Sequence, residues 1–338
     1  CMFFVWIYLV VFVATFLLTA YIRNYALKRN IIDNPNDRSS HSVPTPRGGG
    51  VAIVVSYLAA LCILMFYNVL ALNTGLVLVG AGLVIALIGF LDDHGHINSM
   101  LRLFIHFLVA IGVVGSLGGF AEVVVFKTVQ LGFFANIIAV LFLVWLLNLY
   151  NFMDGINGIA SIEAITTALS MALIYLLVAP NLDPQILFLL AASVFGFLLW
   201  NFPNAKIFMG DACSGFLGLT LGIFALLALK HDVNLFCAWL ICLGVFIVDA
   251  TYTLIRRVLS GHKMYDAHRS HTYQIVSRKV KSHTRVTIAV LIVNLFWLFP
   301  LAYLVSTNNY DYPELGVLLA YLPLVILAIV FKAGKQDA

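Results

Sequence analysis

The chain has 338 residues, of which 62% are hydrophobic and only 10% charged, with a formal net charge of +4 and a mean hydropathy of +1.02. A soluble domain carries about 25% charged residues, so this composition excludes a water-soluble globular protein and points to one that crosses a membrane repeatedly. The five cysteines, at positions 1, 62, 213, 237 and 242, form neither a CxxC pair nor a disulfide framework, and no basic and aromatic module for nucleic acid is present.

Apolar runs lie at roughly 2–22, 51–72, 76–91, 101–118, 132–148, 158–179, 186–201, 213–229, 233–255, 286–306 and 314–331. A helix needs about 20 residues to span hydrocarbon, and these runs lack the alternation of outer-membrane barrel strands. The expected fold is therefore all-α: a polytopic integral membrane helical bundle of about 11 transmembrane helices. It is read as a single domain over 1–338, with its motifs between about 33 and 285 and two further spans over 286–331. The polar loops follow spans 1, 3, 5, 7 and 9 and so share one side. Of the 19 Lys and Arg residues only Lys127 and Lys230 fall on the other side, which makes the polar side cytoplasmic by the positive-inside rule, the N-terminus outside and the C-terminus inside. Span 1 is followed, not preceded, by Arg23, Lys28 and Arg29, the reverse of a cleavable signal peptide, and is expected to be retained.

The first polar loop, Asp33 to Gly50, contains His41 and Arg47, either a phosphate-binding rim or part of the positive-inside bias. Its closing Gly48-Gly49-Gly50 admits two readings of equal weight: backbone N–H groups open to an anion at a helix start, or close helix packing. Span 3 ends in Gly89-Phe90-Leu91-Asp92-Asp93-His94-Gly95-His96. Adjacent carboxylates on a helix point about 100° apart, so Asp92 and Asp93 are expected to divide their work. Two acids also oppose the dipole at a helix C-terminus, which calls for a metal ion or a cation nearby; Arg102 is the available side-chain partner.

The stretch Asn148 to Gly158 places Asn148, Asn151, Asp154 and Asn157 three residues apart between two membrane-length runs. Polar groups at such places normally face a site or a water-filled cavity. Each three-residue step drifts by about 60° on an unbroken α-helix, so the four cannot share a face. A break at Gly155 is expected, with Asn148 and Asn151 left in span 5 and Asp154 and Asn157 turned into the polar side. Further on, Asn201 to Asp211 sets a third acid, Asp211, where a span begins; it is either an N-cap or part of a divalent-metal and diphosphate site. Asp249 reads as a buried partner of a neighbouring helix. The following loop holds His268, Arg269 and His271, better suited to diphosphate than to zinc, because no cysteine lies at finger spacing. If that segment is helical, the two histidines face the same way. Arg278, Lys279, Lys281 and Arg285 suit anionic lipid.

Taken together and in order, GFLDDHG, NLYNFMDGINGIA, NFPNAKIFMGDACSGFLG and HRSHTYQ resemble the motifs of the polyprenyl-phosphate N-acetylhexosamine-1-phosphate transferases, over about residues 33–275. The resemblance implies transfer of a sugar-1-phosphate from a UDP-N-acetylhexosamine to undecaprenyl phosphate, releasing UMP, with Mg²⁺ as cofactor and Mn²⁺ as its substitute. It implies that Asp211 ligates the metal with Asp92 as a second ligand, that Asp92 and Asp93 lie on the lipid-phosphate side, and that Asp154 lines the diphosphate region. Asn201 and Phe208 match positions that hold uracil, Phe208 by stacking. Asn151 and Asn157 are further substrate contacts, and His268 and His271 match the family's histidine motif. Where the peptidoglycan branch carries NLTDGLDG, this chain has NFMDGING, so Asn157 stands for an acid; HRSHTYQ likewise departs from a run of consecutive histidines. Both features are closer to the branch that initiates O-antigen. The implied setting is the bacterial inner membrane, with the active site on the cytoplasmic face. The implied partners are the two substrates and membrane lipid, with a homodimer compatible and nucleic acid excluded. The alternative of another class is an ion-coupled secondary transporter, which also carries intramembrane acids but places them at the midplane.

Overall fold

In the computed structural model the described residues are 2–35, 43–95, 97–121, 123–125, 128–262, 268–307 and 311–335; His41 lies outside them. The helices are α1 (Met2–Arg29), α2 (Val51–Phe66), α3 (Leu72–Gly95), α4 (Ser99–Ser116), α5 (Phe134–Met153), α6 (Ile159–Val178), α7 (Gln185–Asn201), α8 (Asp211–His231), α9 (Val233–Cys242), α10 (Gly244–Leu259), α11 (Thr272–Val280), α12 (His283–Val293), α13 (Phe299–Ser306) and α14 (Pro313–Val330). A π turn, Asn294–Leu298, joins α12 to α13 in one continuous helix. Two-residue strands pair Ile32–Asp33 with Thr45–Pro46, just before α2, and Val124–Val125 with Val129–Gln130 between α4 and α5.

The protein is a helical membrane bundle. Each apolar run of the sequence has a helical counterpart. Among the described residues eight helices are long and apolar enough to cross a membrane, and α9 with α10 makes a ninth if that pair, bent by 72°, is one span. The remaining two, α2 and α7, are shorter apolar helices of 16 and 17 residues. The bend is a departure from the sequence reading, which treats 233–255 as one straight run; it falls at Leu243, inside an unbroken apolar stretch.

Helix α8 is the axis of the bundle. It is buried on nearly every side and packs between α3 and α5, while α1 and α7 pair along their lengths and α6 lies against α7. Outer helices keep broad apolar faces exposed, including Leu17 on α1, Phe104 on α4 and Leu318 on α14, as expected where lipid rather than water is the neighbour. Inside, one polar cluster bridges α6 and the π turn: Glu163 of α6 is buried and accepts from Asn294 Nδ2 at 2.7 Å, and the same nitrogen donates to Thr166 Oγ1 at 2.8 Å. An unpaired amide or acid there would lose its water without replacement.

One close approach sets the geometry at the polar end. A Cβ on Gly89 of α3 would stand 2.5 Å from the Asp211 carbonyl oxygen and 2.6 Å from Ala212 Cα. Glycine at 89 therefore lets α3 lie directly on the first turn of α8, which brings the Asp92-Asp93 pair to Asp211.

Candidate active site

The C-terminal ends of α3, α5 and α7, the N-terminal ends of α2, α8 and α12, and helix α11 meet at one end of the bundle around a cavity of about 210 Å³. Asp93, Asp154 and Asp211 line it together with Arg47, Asn151, Asn157, Asn201 and Phe208. Eight residues singled out in the sequence therefore meet at one place, from four separate segments.

Helix α5 ends at Met153 with Asp154 as its C-cap, and α6 begins at Ile159 after Gly158 at φ +77°. The expected break is present, one residue earlier than Gly155. Gly155 itself faces Tyr273: a Cβ there would lie 2.2 Å from the Tyr273 hydroxyl oxygen, which donates to the Phe152 carbonyl at 2.9 Å. Asn148 stays inside α5, donating to the Val144 carbonyl at 2.7 Å beside the buried His106. Asn151 joins Asp154 and Asn157 at the cavity, so the division falls after Asn148 and not after Asn151.

The two neighbouring acids of α3 divide as their angular separation requires. Asp93 faces the cavity and accepts from the Ala212 N–H of α8 at 3.4 Å, with Arg47 Nη1 4.0 Å away and Arg47 also donating to the Asp93 carbonyl. Asp92 turns to Arg102, its expected partner, and accepts from the Ile97 N–H at 2.8 Å. Arg102 also reaches Asp211 Oδ2 at 3.3 Å, so one guanidinium joins Asp92 to the cavity wall. Asp211 is the first residue of α8 rather than its N-cap, which is Gly210, and Asn151 Nδ2 donates to it at 3.2 Å. Ser214 in turn donates to Asn151 Oδ1 at 3.4 Å.

Among the described residues no donor reaches the Asp154 carboxyl, and burial, then the Asp211 and Asp93 charges, push its pKa well above the usual carboxylate range. Three carboxylates at one cavity, one of them without a donor, suit a hard cation that prefers oxygen. No group of three or more His, Cys, Asp or Glu among the described residues is close enough to enclose an ion. Mg²⁺ needs only one or two carboxylates, since it completes its shell with substrate oxygens and water.

Of the three glycines before α2, Gly49 and Gly50 are decided in favour of packing. Gly49 and Gly50 donate their N–H groups to the Phe208 and Met209 carbonyls, both at 2.9 Å, and a Cβ on Gly50 would lie 2.2 Å from Cys213 Cβ. Asn201 is buried with both ends of its amide committed, accepting from Gly158 N–H at 2.7 Å and donating to the Ile207 carbonyl at 2.9 Å. It ties the 155–158 turn to the loop that carries Phe208.

The histidine segment lies behind this cavity, not in its wall. His268 and His271 precede α11 instead of lying within a helix, yet their rings are 4.8 Å apart. His271 is buried, with Nδ1 3.7 Å from Asp249 Oδ1 and its ring stacked over Phe152. Asp249 proves to be the cap of α11: it accepts from the Thr272 and Tyr273 N–H groups at 2.8 and 3.0 Å. Arg269 is exposed and its carbonyl accepts from Arg278. Three lining side chains were not anticipated as site residues: Asp33, Gln274 and His283. Gln274 lies within HRSHTYQ, whereas nothing local distinguishes His283 from the other basic residues of its loop.

Residues 75–229 match the model of glycosyl transferase family 4. The chain is 30% identical to the probable undecaprenyl-phosphate N-acetylglucosaminyl 1-phosphate transferase of Bacillus subtilis (strain 168), over 85% of this chain and 80% of the relative. It belongs to the polyprenyl-phosphate N-acetylhexosamine-1-phosphate transferase family. Other members of that family are similar over different extents. The decaprenyl-phosphate N-acetylglucosaminephosphotransferase of Mycolicibacterium smegmatis is 28% identical over 96% of this chain and 88% of its own length. The phospho-N-acetylmuramoyl-pentapeptide-transferase of Kocuria rhizophila is 31% identical over 54% of this chain and 63% of its own. The family match spans α3 to α8 and so includes Asp92, Asp93, Asp154 and Asp211 but not His268 or His271.

Proposed function

We propose that this protein transfers an N-acetylhexosamine-1-phosphate from a UDP-sugar to undecaprenyl phosphate, releasing UMP and forming the lipid-linked first sugar of a cell-surface glycan such as O-antigen. The observation that carries this reading is the meeting of Asp93, Asp154 and Asp211 with Asn157 and Phe208 in one cavity at the end of a membrane bundle. That arrangement offers acids for a metal-bound diphosphate beside an aromatic face for a base. The relatives' names, which pair a polyprenyl phosphate with N-acetylglucosamine phosphate, support the same substrates.

The acceptor is a phosphate monoester whose second pKa is about 6, so at pH 7 it is mostly dianionic and needs no strong base. The barrier is the approach of a dianion to a diphosphate. Arg47, which lines the cavity, and Arg102, bonded to Asp211 in its wall, neutralise part of that charge, and Arg269 with the two histidines would approach from the loop behind. Asp211, with Asp92 as second ligand once Arg102 turns from it to the substrate, would hold Mg²⁺ or Mn²⁺, which would withdraw charge from the transferring phosphoryl group. Phe208 stacks on uracil, Asn157 takes its polar edge, Asn151 keeps Asp211 in place, and Arg47 forms the rim; His41, outside the described residues, is a further candidate for the phosphate. The reaction then takes place at the cytoplasmic face of the inner membrane, where the basic loops lie.

Purified protein is expected to release UMP from a UDP-N-acetylhexosamine only with undecaprenyl phosphate and Mg²⁺ present. Asp211→Asn and Asp92→Asn should each lower that rate by about a hundredfold or more. Full activity in both variants would remove the site assignment, and a panel of UDP-sugars identifies the donor.

A further inference from the structure

Asn157 does not stand alone at the cavity. His283, the first residue of α12, places Nδ1 3.3 Å from Asn157 Oδ1, and Asn157 Nδ2 donates to the Pro203 carbonyl at 3.0 Å. A backbone carbonyl only accepts, so the Pro203 contact decides which end of the amide is nitrogen, and His283 Nδ1 must then be the donor to Oδ1. Both His283 and Asn157 line the cavity of about 210 Å³ and also a neighbouring one of about 740 Å³ that opens beside it.

We propose that His283 is a positioning residue for nucleotide recognition, fixing the Asn157 amide so that its second N–H and second lone pair face the base of the UDP-sugar. This rests on the transferase reading above. An amide offering a donor beside an acceptor complements an imide edge, where a ring N–H lies beside a carbonyl; uracil has such an edge. A carboxylate at 157 would present acceptors only, and it would need no such orientation.

The contact is not required to hold the turn or the helix. Thr287 Oγ1, one turn along α12, donates to the Asn157 carbonyl at 2.8 Å, and Asn201 takes the Gly158 N–H at 2.7 Å, so the backbone of the turn is held twice over. The N-cap of α12 is Ser282, whose side chain accepts from Arg285 N–H at 3.3 Å. The bond from His283 acts on the Asn157 side chain, and its loss frees the amide to rotate.

The test uses full-length protein in detergent, with UDP-N-acetylglucosamine as donor and UMP and N3-methyl-UMP as competitors. His283→Ala is expected to raise the donor KM and the UMP Kd about tenfold. It should leave kcat within about twofold and the KM for undecaprenyl phosphate unchanged, because only base recognition is lost. The preference of wild type for UMP over its N3-methyl analogue should collapse in His283→Ala and return in part in His283→Gln, whose amide N–H can still donate. A His283→Ala enzyme that keeps both the donor KM and that preference overturns the proposal, as does an equal loss of donor and acceptor binding. A wild-type enzyme that binds UMP without discriminating against the methylated base overturns this proposal and leaves the transferase reading standing. A wild type that binds no UMP overturns both.

Discussion

His268 is half-buried, lies against His271 and feels the charge of Arg257. Burial first, and then the His271 and Arg257 charges, lower its pKa from 6.5 to about 3. The unfolded chain therefore binds a proton that the folded chain refuses between those two values, and stability must rise with pH across that window. Thermal unfolding of the purified protein between pH 4 and 7 should show this acid-side loss, and His268→Gln should flatten it; an unchanged slope in the variant would place the titration elsewhere. The same residue illustrates what could be read locally. Its presence in HRSHTYQ marked it as a candidate, but nothing in the spacing tells that it backs the cavity instead of lining it. Asn201 is a second case. The family resemblance offers it to uracil, whereas in the fold both ends of its side chain are spent on backbone groups of two different loops. Asp249 was legible as buried, but its role as the cap of α11 depends on a helix 23 residues further along the chain.

Helices were the most readable level, because a span announces itself by the summed apolarity of its own residues. Their directions were not. The bend of 72° between α9 and α10 falls within a continuous apolar run, and hydropathy carries no information about axis direction. The break after α5 was legible, since four polar residues at a three-residue spacing cannot share a face of one helix, and glycine supplies the turn. Its exact partner residues were not, because Asn151 reaches the cavity through α8. The contact between α3 and α8 is the element-level feature on which the acids depend. Gly89→Val would drive a side chain into the Asp211 carbonyl and the Ala212 backbone and separate the two helices. Because a misplacement of about 1 Å can cost about a hundredfold in rate, UMP release is expected to fall by about that factor while the variant still inserts in the membrane. A Gly89→Val enzyme with normal turnover would show that α3 and α8 need not touch.

At the scale of the whole molecule, the polar ends of α2, α3, α5, α7, α8 and α12 all lie on one side, with Asn204 there and Asn181 in the connection at the far end of α7. If the loop charges set the orientation, a cysteine at Asn204 in a cysteine-free background should react with an impermeant thiol reagent only from the cytoplasmic side, and one at Asn181 only from the outside. The opposite pattern would invert the topology and put the cavity on the wrong face for a cytoplasmic nucleotide donor. By itself the sequence determined the membrane class, the eleven apolar segments and the short polar stretches that carry acids and amides, since each of these is a sum or a pattern over neighbouring residues. Only the tertiary structure decided which of those stretches share one cavity, that Asp93 faces it while Asp92 pairs with Arg102, that Gly49 and Gly50 serve packing, and that His283 reaches Asn157 from 126 residues away. Those outcomes turn on helix rotation and close backbone approach, which arise when α3 and α5 pack around α8 and are written in no single segment.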